Sequence, residues 1–169
     1  MESTISSLTE EATMADNIVF IEFYNKKSFP PGVWHNEPDF VKWMSYGLEC
    51  VAIRDMKLGC WRGFVGVAKE HPGFSKTFVD MINADWGLSL NVHGGIALTG
   101  KLPARYKDLN KNVWWIGFEC TQGEDLMPLV TLDKTDPLMA QIAGMQTYKN
   151  LKFVRKEANV LAKQLCRIK

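Results

Sequence analysis

The sequence predicts an α+β fold in a single domain: an antiparallel sheet with a short N-terminal helix and a long amphipathic C-terminal helix. Three observations lead there. At 169 residues the chain has the length of one domain, since domains usually run about 100–200 residues. Its β-branched and aromatic runs cluster together instead of alternating with helical stretches, which favours α+β over a doubly wound sheet. Its C-terminal stretch repeats apolar residues at helical spacing. Hydrophobic residues make up 46% and charged residues 23%, a balance that supplies a core and excludes global disorder.

Residues 1–15 are rich in Ser, Thr and Glu and are expected to be a flexible segment before a domain at 16–169, with Met14 as an alternative start. Residues 17–24 (NIVFIEFY) have strand character. Pro30, Pro31 and Gly32 punctuate a loop. Asn36 reads as a helix cap, Glu37 and Asp39 fall in a first turn, and Phe40, Trp43 and Met44 recur at helical spacing, so a helix is predicted over 37–46, stopped by Gly47. Strands are predicted at 48–54 and 60–67, closed as a hairpin by 55–59. A helical turn falls within 76–84, and strands at 88–93 and 96–98 flank Gly94-Gly95. Residues 101–112 form a polar connection. The run VWWIGFEC at 113–120 is the strongest strand and is expected at the centre of the sheet, before a long acidic loop at 121–137. Leu151, Val154, Ala158, Leu161, Leu165 and Ile168 make an apolar stripe, so a helix is predicted over 151–168. Packed on the sheet, the stripe completes the core; placed between two copies, it would make a homo-oligomer seam.

A net charge of +1 argues against a dedicated nucleic-acid binder. The charge is nevertheless uneven: from residue 149 onward seven Lys and Arg face one acid, a surplus of six, so the rest of the chain carries −5. Such a basic helix can dock phosphates or an acidic partner. The apolar runs are too short to span a membrane, and the acidic start lacks the cationic and apolar regions of a secretory signal. The four cysteines, Cys50, Cys60, Cys120 and Cys166, form no C-x-x-C pair. They are expected to be free thiols in the cytoplasm.

The residues able to carry chemistry gather at two predicted strand ends. His93-Gly94-Gly95 places a ring and exposed backbone N–H groups where a ligand or oxyanion can approach. Trp114 and Trp115 alternate across the sheet, so one indole on each face could floor a pocket or stack on a nucleobase. Glu119, Glu124 and Asp125 lie close enough in sequence to consider a divalent cation, and Cys120 with His93 could form a nucleophile–base pair. His35, His71 and His93 lack the spacing of a metal motif, so neither metal nor cofactor is expected. The candidate ligand-binding set is therefore His71, His93, Gly94, Gly95, Trp114, Trp115, Glu119 and Asp125, and the catalytic candidates are His93, Cys120 and Glu119.

The stretches WHNEPDFVKW, GLECVAIRD, LGCWRGFVGV, EHPGFSK, NVHGGIALTG and VWWIGFECTQGED, with the closing helix, resemble an uncharacterised protein family of phages, prophages and bacteria. Its pattern contains N-E-P-D, G-H-P, V-H-G-G and W-W-x-G-F-D-C-A-H motifs. Here Glu119 stands for the Asp of that last motif, Thr121 for a small residue and Gln122 for its His. The resemblance implies a phage-type accessory protein working in the host cytoplasm. With the residues above, the expected function is a binding module that captures a host factor or a nucleotide-like small molecule, with counter-defence as one use. The alternative is a small hydrolase using Cys120 or a carboxylate cluster with His93.

Overall fold

The computed structural model describes residues 19–21, 25–103, 106 and 109–169. The expected flexible segment 1–15 lies outside them, as do the ends of the expected strand at 17–24. Six antiparallel strands form one sheet: β1 (Val19–Ile21), β2 (Phe40–Ser45), β3 (Leu48–Arg54), β4 (Trp61–Val67), β5 (Leu98–Gly100) and β6 (Trp114–Glu119), in the order β1-β2-β3-β4-β6-β5. Among the described residues three α-helices accompany them: α1 (Phe78–Asn83), α2 (Pro137–Met145) and α3 (Leu151–Leu165). The fold is a single α+β domain.

Alternation decides which side chain enters which layer. On one face Val41, Trp43, Cys50, Ala52, Val65, Ile116 and Phe118 meet the buried stripe of α3, Val154, Ala158, Leu161 and Leu165. The stripe is thus buried within the chain, against its own sheet, and is not free to act as an oligomer seam. Full burial of each such Leu is worth about 1.5–3 kcal/mol. On the other face Phe40, Val51, Ile53, Phe64 and Trp115 form a second cluster, roofed by Leu98, Leu102, Tyr106 and Leu109.

Four expectations need correction. The predicted helix at 37–46 is strand β2, paired along its length with β3; the helical structure at this end of the chain is two short 3-10 turns, Lys26–Ser28 and Val33–Asn36. The spacing of Phe40, Trp43 and Met44 mimicked a helix, but Val41 and Trp43 point to one core and Phe40 to the other. Residues 88–93 are not a strand: a 3-10 turn at Gly87–Ser89 leads into irregular backbone. Strand β6 is not central, since β3 and β4 are, and the predicted strand at 96–98 lies instead at Leu98–Gly100, at the sheet edge beside β6. Helix α2 was not foreseen, although Asp136 caps it and Pro137 opens it.

Candidate functional site

The structure brings part of the predicted set together. The turn at Gly94 and Gly95, both with positive φ, presents His93 to Asp125, with His93 Nε2 2.7 Å from Asp125 Oδ2. A ring nitrogen facing a carboxylate oxygen carries the proton, so Nε2–H is the donor. Asp125 is fully buried. Its Oδ2 also accepts the Gln122 N–H at 2.9 Å, while Lys149 Nζ stands 3.5 Å from Oδ1. The backbone N–H of His93 donates to Glu157 on α3 at 2.8 Å, and its ring meets Phe153 edge-on. His93 is thereby clamped between the loop after β6 and the second turn of α3.

The remaining candidates go elsewhere. Cys120 is buried, and burial, reinforced by the nearby Asp125 charge, pushes its thiol well above the usual cysteine range. A thiol held protonated is a poor nucleophile. Glu119 points to the other face of the sheet and pairs with Arg62 at 3.3 Å. The carboxylates of the 119–125 region are thus separated, and among the described residues no group of three His, Cys, Asp or Glu is placed to hold a metal. Trp115 is buried in the second cluster. Trp114 is half-buried and donates its indole N–H to Lys76 O at 2.9 Å. His71 accepts the Gly73 N–H on Nδ1 and donates from Nε2 to Leu165 O, which ties off the last turn of α3. That places it some eight residues along the helix from the Glu157 contact of His93, about 12 Å at 1.5 Å per residue.

A second charged cluster was not foreseen. Arg54, 1% exposed, lies over the Trp61 ring and donates to Asp39, Glu37, Gly59 O, Pro38 O and the Tyr148 hydroxyl. Glu37 Oε2 also accepts from Trp61 Nε1 and from Tyr148 at 2.6 Å, and its Oε1 accepts the Leu151 N–H at 2.7 Å. Lys26 completes the cluster on Asp39 at 3.1 Å. Among the described residues two cations face two carboxylates, which is the condition for keeping them out of water. Burial pushes the Tyr148 hydroxyl above its ordinary range, with the Glu37 charge adding to it. The segment Thr147–Lys149 links the clusters, since Tyr148 enters this one and Lys149 approaches Asp125.

An open groove lies on α3 itself. Lys152, Arg155, Lys156, Asn159 and Lys163 recur at helical spacing on the face turned away from the core. With Tyr46 from the β2–β3 turn they line a groove of about 650 Å³, the size of a small-molecule site. No carboxylate lines it. None of the four cations makes an ion pair among the described residues. The Arg155 guanidinium rests on the Trp43 ring, 5.3 Å from its centroid, and its Nε has no hydrogen-bond partner among the described residues. The Trp43 indole N–H in turn donates to Asn159 Oδ1 at 2.8 Å and fixes the groove floor.

Fold and groove together define a class: an antiparallel α+β domain bearing a preformed cationic groove. Compared with protein-family models, with curated proteins and with solved structures, the chain matches none. No helix among the described residues is long and apolar enough to cross a membrane.

Proposed function

We propose that this protein is a small phage-type binding module that captures a nucleotide-like small molecule, or a host factor presenting the same anionic chemistry, in the groove along α3. One observation carries the reading: four cations share a groove with an aromatic ring and no carboxylate. Like charges gathered without counter-charges repel one another, and a bound anion relieves that repulsion. In the host cytoplasm, which the resemblance to phage proteins implies, such capture would withhold a nucleotide-like signal from a defence system.

The hydrolase alternative has less behind it. Cys120 is held as a thiol in the core, and the His93 imidazole is engaged by a buried carboxylate. We assign the His93–Asp125 pair to holding the 122–125 loop on α3.

The test is calorimetric titration of ATP into the protein and into the double variant Lys152→Glu/Lys156→Glu. Both side chains are exposed, so the fold should persist. A charge-assisted hydrogen bond contributes about 1.5–3 kcal/mol, so losing even one should weaken binding about tenfold or more. Equal affinity in the two proteins would defeat the groove as the site.

A further inference from the structure

We infer that Tyr46 is a base-stacking subsite of this groove, so that the ligand is a nucleoside polyphosphate rather than a bare polyanion. This rests on the groove being an anion site. Ser45 ends β2 and pairs with Leu48, which opens β3, and this leaves Tyr46-Gly47 as a two-residue turn. Both have positive φ, 50° and 75°, the signature of a type I′ turn. The first of these positions favours Asn, Asp or Gly, and a bulky side chain with positive φ is an outlier. Among the described residues only Ser75 shares this feature with Tyr46 outside glycine.

The ring does not repay the strain by packing, because Tyr46 is 56% exposed. Strained residues of this kind concentrate at ligand contacts. Tyr46 and Val160 both line the groove, and Val160 is itself 40% exposed. An aromatic face and an aliphatic patch can sandwich a base, while Lys152, Arg155, Lys156 and Lys163 hold phosphates. The cations run from 152 to 163 along α3, about 16 Å at 1.5 Å per residue. A nucleoside polyphosphate suits this layout better than a long nucleic-acid strand, since the groove offers four cations and the whole chain carries only +1.

The test compares the four ribonucleoside triphosphates with inorganic tripolyphosphate on the wild-type protein, Tyr46→Phe and Tyr46→Asn. The tightest nucleotide should bind wild type about tenfold more strongly than tripolyphosphate, in line with base–aromatic stacking. Tyr46→Phe should keep that advantage. Tyr46→Asn should abolish it, leave tripolyphosphate binding unchanged, and raise the melting temperature by about 2–4 °C through relief of the turn. A purely structural Tyr46 would lower stability and binding together. Equal binding of nucleotides and tripolyphosphate to wild type would overturn the base subsite and leave the anion groove standing. Failure of both to bind would overturn the groove as well. Binding of a single-stranded oligonucleotide without nucleotide binding would overturn the ligand class.

Discussion

Replacing Arg54 with Met is the severest test of the buried charge cluster. Met roughly matches the length of the apolar stem and fills the space over Trp61. The fork is lost, and with it the hydrogen bonds to Asp39, Glu37, Gly59 O, Pro38 O and Tyr148. Asp39 is fully buried and keeps its pair with Lys26, while Glu37 loses its pair with Arg54. Removing one partner of a buried ion pair typically costs about 3–5 kcal/mol, mostly as the penalty of the charge left behind. For a chain of this length that corresponds to a melting temperature lower by roughly 6–20 °C. Urea unfolding followed by tryptophan fluorescence should show the midpoint falling with little change in slope. Adding Glu37→Gln to Arg54→Met should then cost less than the sum of the two single changes, because the stranded charge is gone. A loss below about 1 kcal/mol for Arg54→Met, or strict additivity with Glu37→Gln, would refute the reasoning.

Other outcomes follow from the same packing. Leu161 is fully buried under the sheet, so Leu161→Ala should cost about 2–5 kcal/mol in the same unfolding assay. Of the four free cysteines, only Cys166 is exposed; brief alkylation of the native protein should add a single label by mass spectrometry, and denaturation should release the other three. Stability should fall under alkaline conditions. Burial raises Cys60 from an ordinary 9.0 to about 12 and also raises Cys120 and Tyr148. Groups raised in the native state contribute fully below their unfolded values, so their contribution disappears as pH climbs above about 9 for the two thiols and above about 10 for Tyr148, by about 1.4 kcal/mol per pH unit for each group. Unfolding midpoints measured from pH 8 to 11 should show this decline, and Cys60→Ala should make it shallower.

How much of this was legible in the sequence depends on whether the signal was local. Strands β3, β4 and β6 and helix α3 declared themselves, because each has an apolar pattern long enough to fix its own period. The segment 36–45 did not. Asn36, Glu37 and Asp39 look like the start of a helix, and Phe40, Trp43 and Met44 fit its spacing, yet the acids serve partners distant in sequence. Glu37 does satisfy a helix N-terminus, but that of α3, through the Leu151 N–H. No window of sequence contains that pairing. The His93–Asp125 contact was half legible, since both residues were candidates but the partner expected for His93 was Cys120. The two tryptophans were read as platforms because alternation puts them on opposite faces, whereas each face carries its own cover. The basic face of α3 was visible from its charges. Tyr46 was not, because its strain exists only once 40–45 is a strand and Tyr46-Gly47 its turn.

Where an anion sits decides whether the groove is the site. Amide chemical-shift mapping during titration with ATP locates it directly. Shifts should cluster at Tyr46 and Gly47 and along Lys152, Arg155, Lys156, Asn159 and Lys163, with His93 and Asp125 unmoved. Shifts centred instead on His93, Gly94, Gln122 and Asp125, with α3 silent from 152 to 163, would contradict it.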